Sequence, residues 1–110
     1  MAYVPERGDI VWLDFSPTEG HEQAGHRPAL VLSPANYHGR SGLMLCCPIT
    51  SKLRPYPFVV PVLGSDDVGG AALADQLRSL DWRARKARKK GRAPERVLNE
   101  VLGKAIALLS

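Results

Sequence analysis

A chain of 110 residues, 45% hydrophobic and 24% charged, suffices for one compact domain over residues 1–110 and excludes a large multidomain assembly. No apolar run approaches the roughly 20 residues needed to cross a bilayer, and residues 1–9 lack the apolar segment of a secretory signal, so a cytoplasmic location without membrane contact is expected. The net charge of +4 comes from one segment: residues 83–92 hold seven of the fifteen Lys and Arg and no acid, which leaves the remainder net negative.

The first strand is expected over residues 10–15, where Val11, Leu13 and Phe15 form a wholly apolar face opposite Ile10, Trp12 and Asp14. Residues 16–26 read as a loop, with turn chemistry from Pro17, Gly20 and Gly25. A second strand follows over residues 27–33; Pro28 lacks an N–H and belongs near a strand start or on an edge. Residues 34–42 read as a connection and 43–49 as a third strand. Cys46 and Cys47 point to opposite faces of that strand, so they are poor disulfide partners and serve as small apolar residues. No Cys/His spacing resembles a zinc site, so neither a metal nor another cofactor is expected.

Residues 51–57 read as a loop, 58–63 as a fourth strand, 64–70 as a turn region, and 71–80 as a fifth strand carrying Asp75, Gln76 and Arg78. The basic run contains a candidate charged edge strand over residues 83–90. Such a stripe suits a phosphate backbone or an acidic protein partner, and equally a solvated edge that deters aggregation. Residues 94–109 form the one strong helix, with Val97, Leu98, Val101, Leu102, Ala105, Ile106 and Leu109 on one face and Pro94 in its first turn. Short strands with Gly and Pro punctuation, then one helix, predict a mainly β fold: a small barrel or strongly bent antiparallel sheet closed by a C-terminal helix.

The stretch 20–33 runs from a polar loop into a rigid strand and sets Glu22, Gln23, His26 and Arg27 at the junction. Antiparallel pairing of residues 27–33 with 43–49 puts Arg27 opposite Ile49 or Thr50, with the Glu22–Gln23 loop above. A guanidinium supplies planar donors matched to phosphate oxygens, a threonine adds a neutral donor, and a carboxylate can accept a proton from an attacking hydroxyl. RNA carries its own nucleophile, the 2′-OH, so such a site can cut RNA by internal transesterification to a 2′,3′-cyclic phosphate and a 5′-hydroxyl.

The same residues carry a family resemblance. Gly8-Asp9-Ile-Val-Trp-Leu-Asp-Phe, Glu22-Gln23-Ala-Gly-His-Arg27-Pro28-Ala-Leu-Val-Leu-Ser, Cys47-Pro48-Ile49-Thr50 and Leu73-Ala-Asp75-Gln76, in this order with Tyr56-Pro57-Phe58 and Trp82-Arg83-Ala84-Arg85, resemble the MazF/PemK toxin family. The resemblance covers nearly the whole chain. It implies an SH3-like barrel, a homodimer, metal-independent and sequence-selective cleavage of single-stranded RNA, and a cognate antitoxin that blocks the site. It also implies catalytic roles for Arg27, Thr50 and the loop carboxylate Glu22, and RNA contacts by Gln23, Ser51, Arg54, Asp75 and Gln76.

His21 and His26 are read as shaping the loop, and Trp12, Phe15, Phe58 and Trp82 as core or dimer interface. Tyr37 and Tyr56 are better placed for base stacking. Two other readings stand beside the nuclease. One is a protein-binding poison like the CcdB-type toxins, which resemble this fold and act on a DNA topoisomerase; the other is an RNA-binding module without catalysis.

Overall fold

The computed structural model describes residues 3–16, 20–21, 25–52, 56–62 and 70–110. Its elements in chain order are β1 (Asp9–Asp14), β2 (His26–Val31), α1 (Ala35–Ser41), β3 (Leu43–Thr50), β4 (Val59–Pro61), β5 (Ala71–Leu73), β6 (Arg78–Asp81), β7 (Arg88–Arg92) and α2 (Glu95–Leu109). The strands pair antiparallel in the order β4-β5-β3-β2-β1-β7, with β6 also on β3. The expected mainly β fold with a C-terminal helix is therefore observed. Among the described residues the sheet does not close into a ring: β4 and β7 remain its two ends.

Strand alternation buries both faces. On one, Val11, Leu13 and Phe15 pack with Ala29, Val31, Met44, Cys46, Leu80 and Trp82, as their shared periodicity predicts. On the other, Ile10, Leu30, Cys47 and Ile49 meet Val97 and Val101 of α2. Each fully buried valine contributes roughly 1.5–3 kcal/mol of transfer free energy, enough to seat the helix stripe on the sheet. Cys46 and Cys47 fall into opposite clusters as free thiols. Trp82 and Phe15 are core residues, whereas Trp12 is only half-buried.

Three expectations are corrected. The connection over 34–42 contains α1, a short helix that follows Pro34 and ends at Gly42 in the left-handed region (φ 75°). Gly39 and the lack of an apolar stripe hide it in the sequence. Its buried His38 ties four segments together. Nδ1 donates to the Pro5 carbonyl at 2.7 Å, so Nε2 accepts from the Ser33 hydroxyl; Ser33 Oγ in turn accepts the Leu45 N–H at 2.8 Å. Trp82 Nε1 donates to the His38 carbonyl at 3.0 Å.

The single strand expected over 71–80 is two strands. Cys46 faces Arg78 and Ile49 faces Ala72, so three steps along β3 oppose six along its partner. The surplus buckles outward at residues 74–77, where the Gln76 N–H turns back to the Leu73 carbonyl at 3.0 Å. Pro48, opposite the buckle, has no N–H to offer it.

The edge strand expected over 83–90 begins only at Arg88. Residues 82–87 first make a helical turn: Asp81 caps it by accepting the Ala84 N–H at 2.9 Å, and Ala87 N–H closes back on the Trp82 carbonyl at 2.9 Å. β7 then pairs with β1 and is tied to it by the buried carboxylate of Asp9. That carboxylate accepts from Arg92 at 3.0 Å, from the Glu6 N–H at 3.0 Å and from the Tyr3 hydroxyl. No helix among the described residues is long and apolar enough to cross a membrane.

Candidate nucleic-acid cleavage site

The register of β2 on β3 runs Val31 to Cys46, Leu30 to Cys47 and Ala29 to Pro48. The pairing ends there; Arg27 lies two residues beyond Ala29 on β2 and Thr50 two residues beyond Pro48 on β3. Alternation places both on the face of Ala29 and Pro48, and Arg27 is flanked on its other side by its β1 partner Leu13. Arg27 is half-buried and Thr50 is 7% exposed. Arg27 and Thr50 thus lie at the same end of the β2–β3 pair, and a guanidinium and a hydroxyl are both able to donate to an anion.

The backbone around Thr50 fixes its hydroxyl. Thr50 Oγ1 accepts the Lys52 N–H at 3.2 Å, which occupies a lone pair and leaves the hydroxyl proton to donate elsewhere. On the opposite side of β3, Thr50 pairs with Ala71 of β5. Gly70, just before β5, has φ 103° and passes the Thr50 carbonyl closely. Ser51 follows Thr50 and is exposed.

Asp75 and Gln76 occupy the buckle between β5 and β6, beside the Pro48 end of β3. The exposed Asp75 carboxylate accepts from the Tyr56 hydroxyl at 3.1 Å, and that hydrogen bond with the carboxylate charge raises the Tyr56 pKa. The Tyr56 ring lies 5.8 Å from that of Phe58. Glu22, Gln23 and Arg54 lie outside the described residues. The described flanks of the first of those segments are tied together, since Phe15 N–H donates to Gly25 at 3.0 Å and Gly25 N–H donates to Ser16 Oγ at 3.0 Å.

Sequence reasoning missed the groups that hold these flanks. Arg78 Nη1 donates to the Phe15 carbonyl at 2.8 Å, and Arg85 Nη1 donates to the Asp14 and Ser16 carbonyls at 2.7 and 2.9 Å. Arg78 comes from β6 and Arg85 from the turn that follows it, both distant in sequence, and only the fold brings them to the end of β1. His26 does not face Arg27; it lies on the opposite sheet face, stacked on Trp12 with ring centroids 5.4 Å apart and 6° between planes. Gly70 was legible only as one of several turn glycines. Among the described residues, no three His, Cys, Asp or Glu side chains cluster as metal ligands.

Comparison with known proteins adds to this geometry. The family model described as the PemK-like, MazF-like toxin of type II toxin-antitoxin systems matches residues 6–109. The chain is 56% identical over 94 residues to the endoribonuclease toxin MazF of Escherichia coli strain K12, covering 84% of each. It is similar to the crystal structure of MazF from Deinococcus radiodurans, with a TM-score of 0.94, 55% identity and 98% of each chain covered. It is also similar to a MazE-MazF structure from the same organism, with a TM-score of 0.87, 55% identity and 98% and 97% covered.

Proposed function

The chain belongs to the PemK-like, MazF-like family of type II toxins, and on that footing we propose that it is the endoribonuclease of a toxin-antitoxin pair, cutting single-stranded RNA in the cytoplasm. The observation that supports this reading is the β2–β3 register, Val31 to Cys46 through Ala29 to Pro48, which puts Arg27 and Thr50 at the same end of the strand pair. The scissile phosphate rests on these two donors. Glu22 takes the proton of the adjacent 2′-OH; the 2′-oxygen forms a bond to phosphorus as the bond to the 5′-oxygen breaks. The leaving 5′-oxygen takes a proton from the Arg27 guanidinium, which solvent replaces, giving 2′,3′-cyclic phosphate and 5′-hydroxyl ends.

Arg27 neutralises the charge that grows on the phosphoryl oxygens, where a preorganised donor gains most. Thr50 donates to the same group, its oxygen steadied by the Lys52 N–H. The RNA supplies the nucleophile, so the reaction is read as independent of metal and cofactor. Gln23, Ser51, Arg54, Asp75 and Gln76 read the flanking bases. The protein acts as a homodimer, is blocked by its cognate antitoxin, and its bent sheet with two buried faces is read as an SH3-like barrel.

The test is to incubate the purified protein, free of antitoxin, with a long single-stranded RNA in EDTA and to map fragment ends beside Arg27→Ala. Discrete cuts with cyclic-phosphate ends, absent in the variant, are expected. Binding without cuts would replace the nuclease by an RNA-binding module. Neither binding nor cuts would point to a protein target.

A further inference from the structure

Trp12, His26 and Lys90 are not absorbed by the cleavage site: Trp12 and His26 lie on the sheet face opposite Arg27, and Lys90 sits over Trp12. Trp12 pairs with Arg88 across β1 and β7, and diagonally with His26 across β1 and β2. The His26 ring stacks on Trp12 and is itself exposed, while Lys90 Nζ sits 4.6 Å from the Trp12 ring centroid. Beside this stack an open cleft of about 560 Å³ is lined by Asp14, Ser16, His26, Ala84, Arg85 and Lys86.

Lys86 is the one non-glycine residue among those described with positive φ, at 55°. It occupies the position where the turn over 82–87 reverses, which glycine ordinarily fills. A lysine kept in an unfavourable conformation at the lip of a cleft marks a site to examine for function. Arg85 is held there too by its bonds to Asp14 and Ser16.

We propose that this cleft is a nucleotide subsite for single-stranded RNA outside the cut step, with a base stacked on His26 and its phosphate beside Lys86. Aromatic planes interleaved with cations are the usual means of holding single strands. Asp14 carries the one carboxylate of the cleft lining. Its Oδ1 accepts the Ser16 N–H at 2.9 Å, and the group is suited to accept from an exocyclic amino group, which favours an amino-bearing base. His26 and Arg27 are consecutive and leave β2 on opposite faces, so the RNA passes around the start of that strand from one site to the other.

This inference rests on the RNA reading of the Arg27–Thr50 site, and its test separates the two. Binding is measured by titration of an RNA about eight nucleotides long carrying a single 2′-deoxy substitution at the cut, using the parent, His26→Ala and Lys86→Gly. Lys86→Gly suits the backbone at that position, so folding is not at risk. His26→Ala should weaken binding about five- to a hundredfold, as loss of one stacked base does. Lys86→Gly should reduce the salt slope of log K by about 0.7, as loss of one phosphate contact from a single strand does.

A trinucleotide spanning only the cut step should be cleaved by both variants at the parental rate. Absence of cleavage of a long single-stranded RNA by the parent would sink the nuclease reading and leave the binding result to judge the subsite. Unchanged RNA binding in both variants, or a loss equal for long and trinucleotide substrates, would overturn the subsite. So would intact RNA binding with weakened antitoxin binding, which would make the cleft a protein-docking surface.

Discussion

Gly70 runs so close to Thr50 that a Cβ added to it would lie 2.1 Å from the Thr50 carbonyl oxygen. Its φ of 103° is also closed to L side chains. Gly70→Ala must therefore push β5 away from β3 or distort the Thr50 backbone. A stability loss of at least about 1–3 kcal/mol is expected, with RNA cleavage lost beyond the fraction unfolded. Denaturant titration and cleavage rates on the same preparation check it; parental activity in the folded fraction would show that Thr50 is positioned without Gly70.

Arg27→Ala should lower the cleavage rate by ~10²–10³, the usual consequence of removing one preorganised donor from a transition state. Single-turnover rates at saturating enzyme separate this from weaker RNA binding. Activity within threefold of the parent would remove Arg27 from the chemistry.

Thr50→Val keeps the β-branched shape and deletes the hydroxyl. It removes the proposed phosphate donor and strands the Lys52 N–H, which now bonds Thr50 Oγ1. A stability loss of about 1 kcal/mol should accompany a fall in turnover. Urea unfolding and cleavage assays read the two separately; unchanged turnover with the stability loss would leave Thr50 a purely structural residue.

The antiparallel register of β2 on β3 was legible because it follows from alternation and a short connection, both local properties. The core face of Val11, Leu13 and Phe15 was legible for the same reason. The buckle at Asp75 and Gln76 was not, since it depends on how two stretches of one partner fit a proline-containing strand. The Trp12–His26 stack needs the β1–β2 register, and the Arg78 and Arg85 anchors span 63 and 71 residues of sequence. Short-range periodicity carries no trace of such contacts. The turn at 82–87 did have a signal, Asp81 at its cap, which the run of positive charge obscured.

Lys86→Gly should stabilise the protein by about 0.5–1 kcal/mol. The left-handed conformation costs an L residue about 1–2 kcal/mol, partly offset by the greater freedom of glycine in the unfolded chain. The urea midpoint should rise with its m-value unchanged. A destabilised variant would mean that the Lys86 side chain makes a contact worth more than its backbone strain.

Burial pushes the Cys46 thiol from its ordinary 9.0 up to about 12, with nearby Arg78 and Arg85 pulling weakly the other way. Burial pushes Cys47 upward as well. In the folded protein both thiols keep their protons well above the pH at which the unfolded chain releases them. The unfolded state then binds fewer protons, so stability is full below about pH 9 and falls as pH rises toward 12. The limiting slope is about 1.4 kcal/mol per pH unit for each cysteine. Tyr3, raised by burial and by Asp9, acts in the same direction. Urea unfolding between pH 8 and 10.5 should show this decline, and Cys46→Ala with Cys47→Ala should flatten it while Tyr3 retains its share. Equal slopes with and without the cysteines would mean that both thiols ionise as readily in the folded chain as in the unfolded one. Native protein should also resist a thiol-specific disulfide reagent at pH 8 until denatured, because neither sulfur is accessible or ionised there.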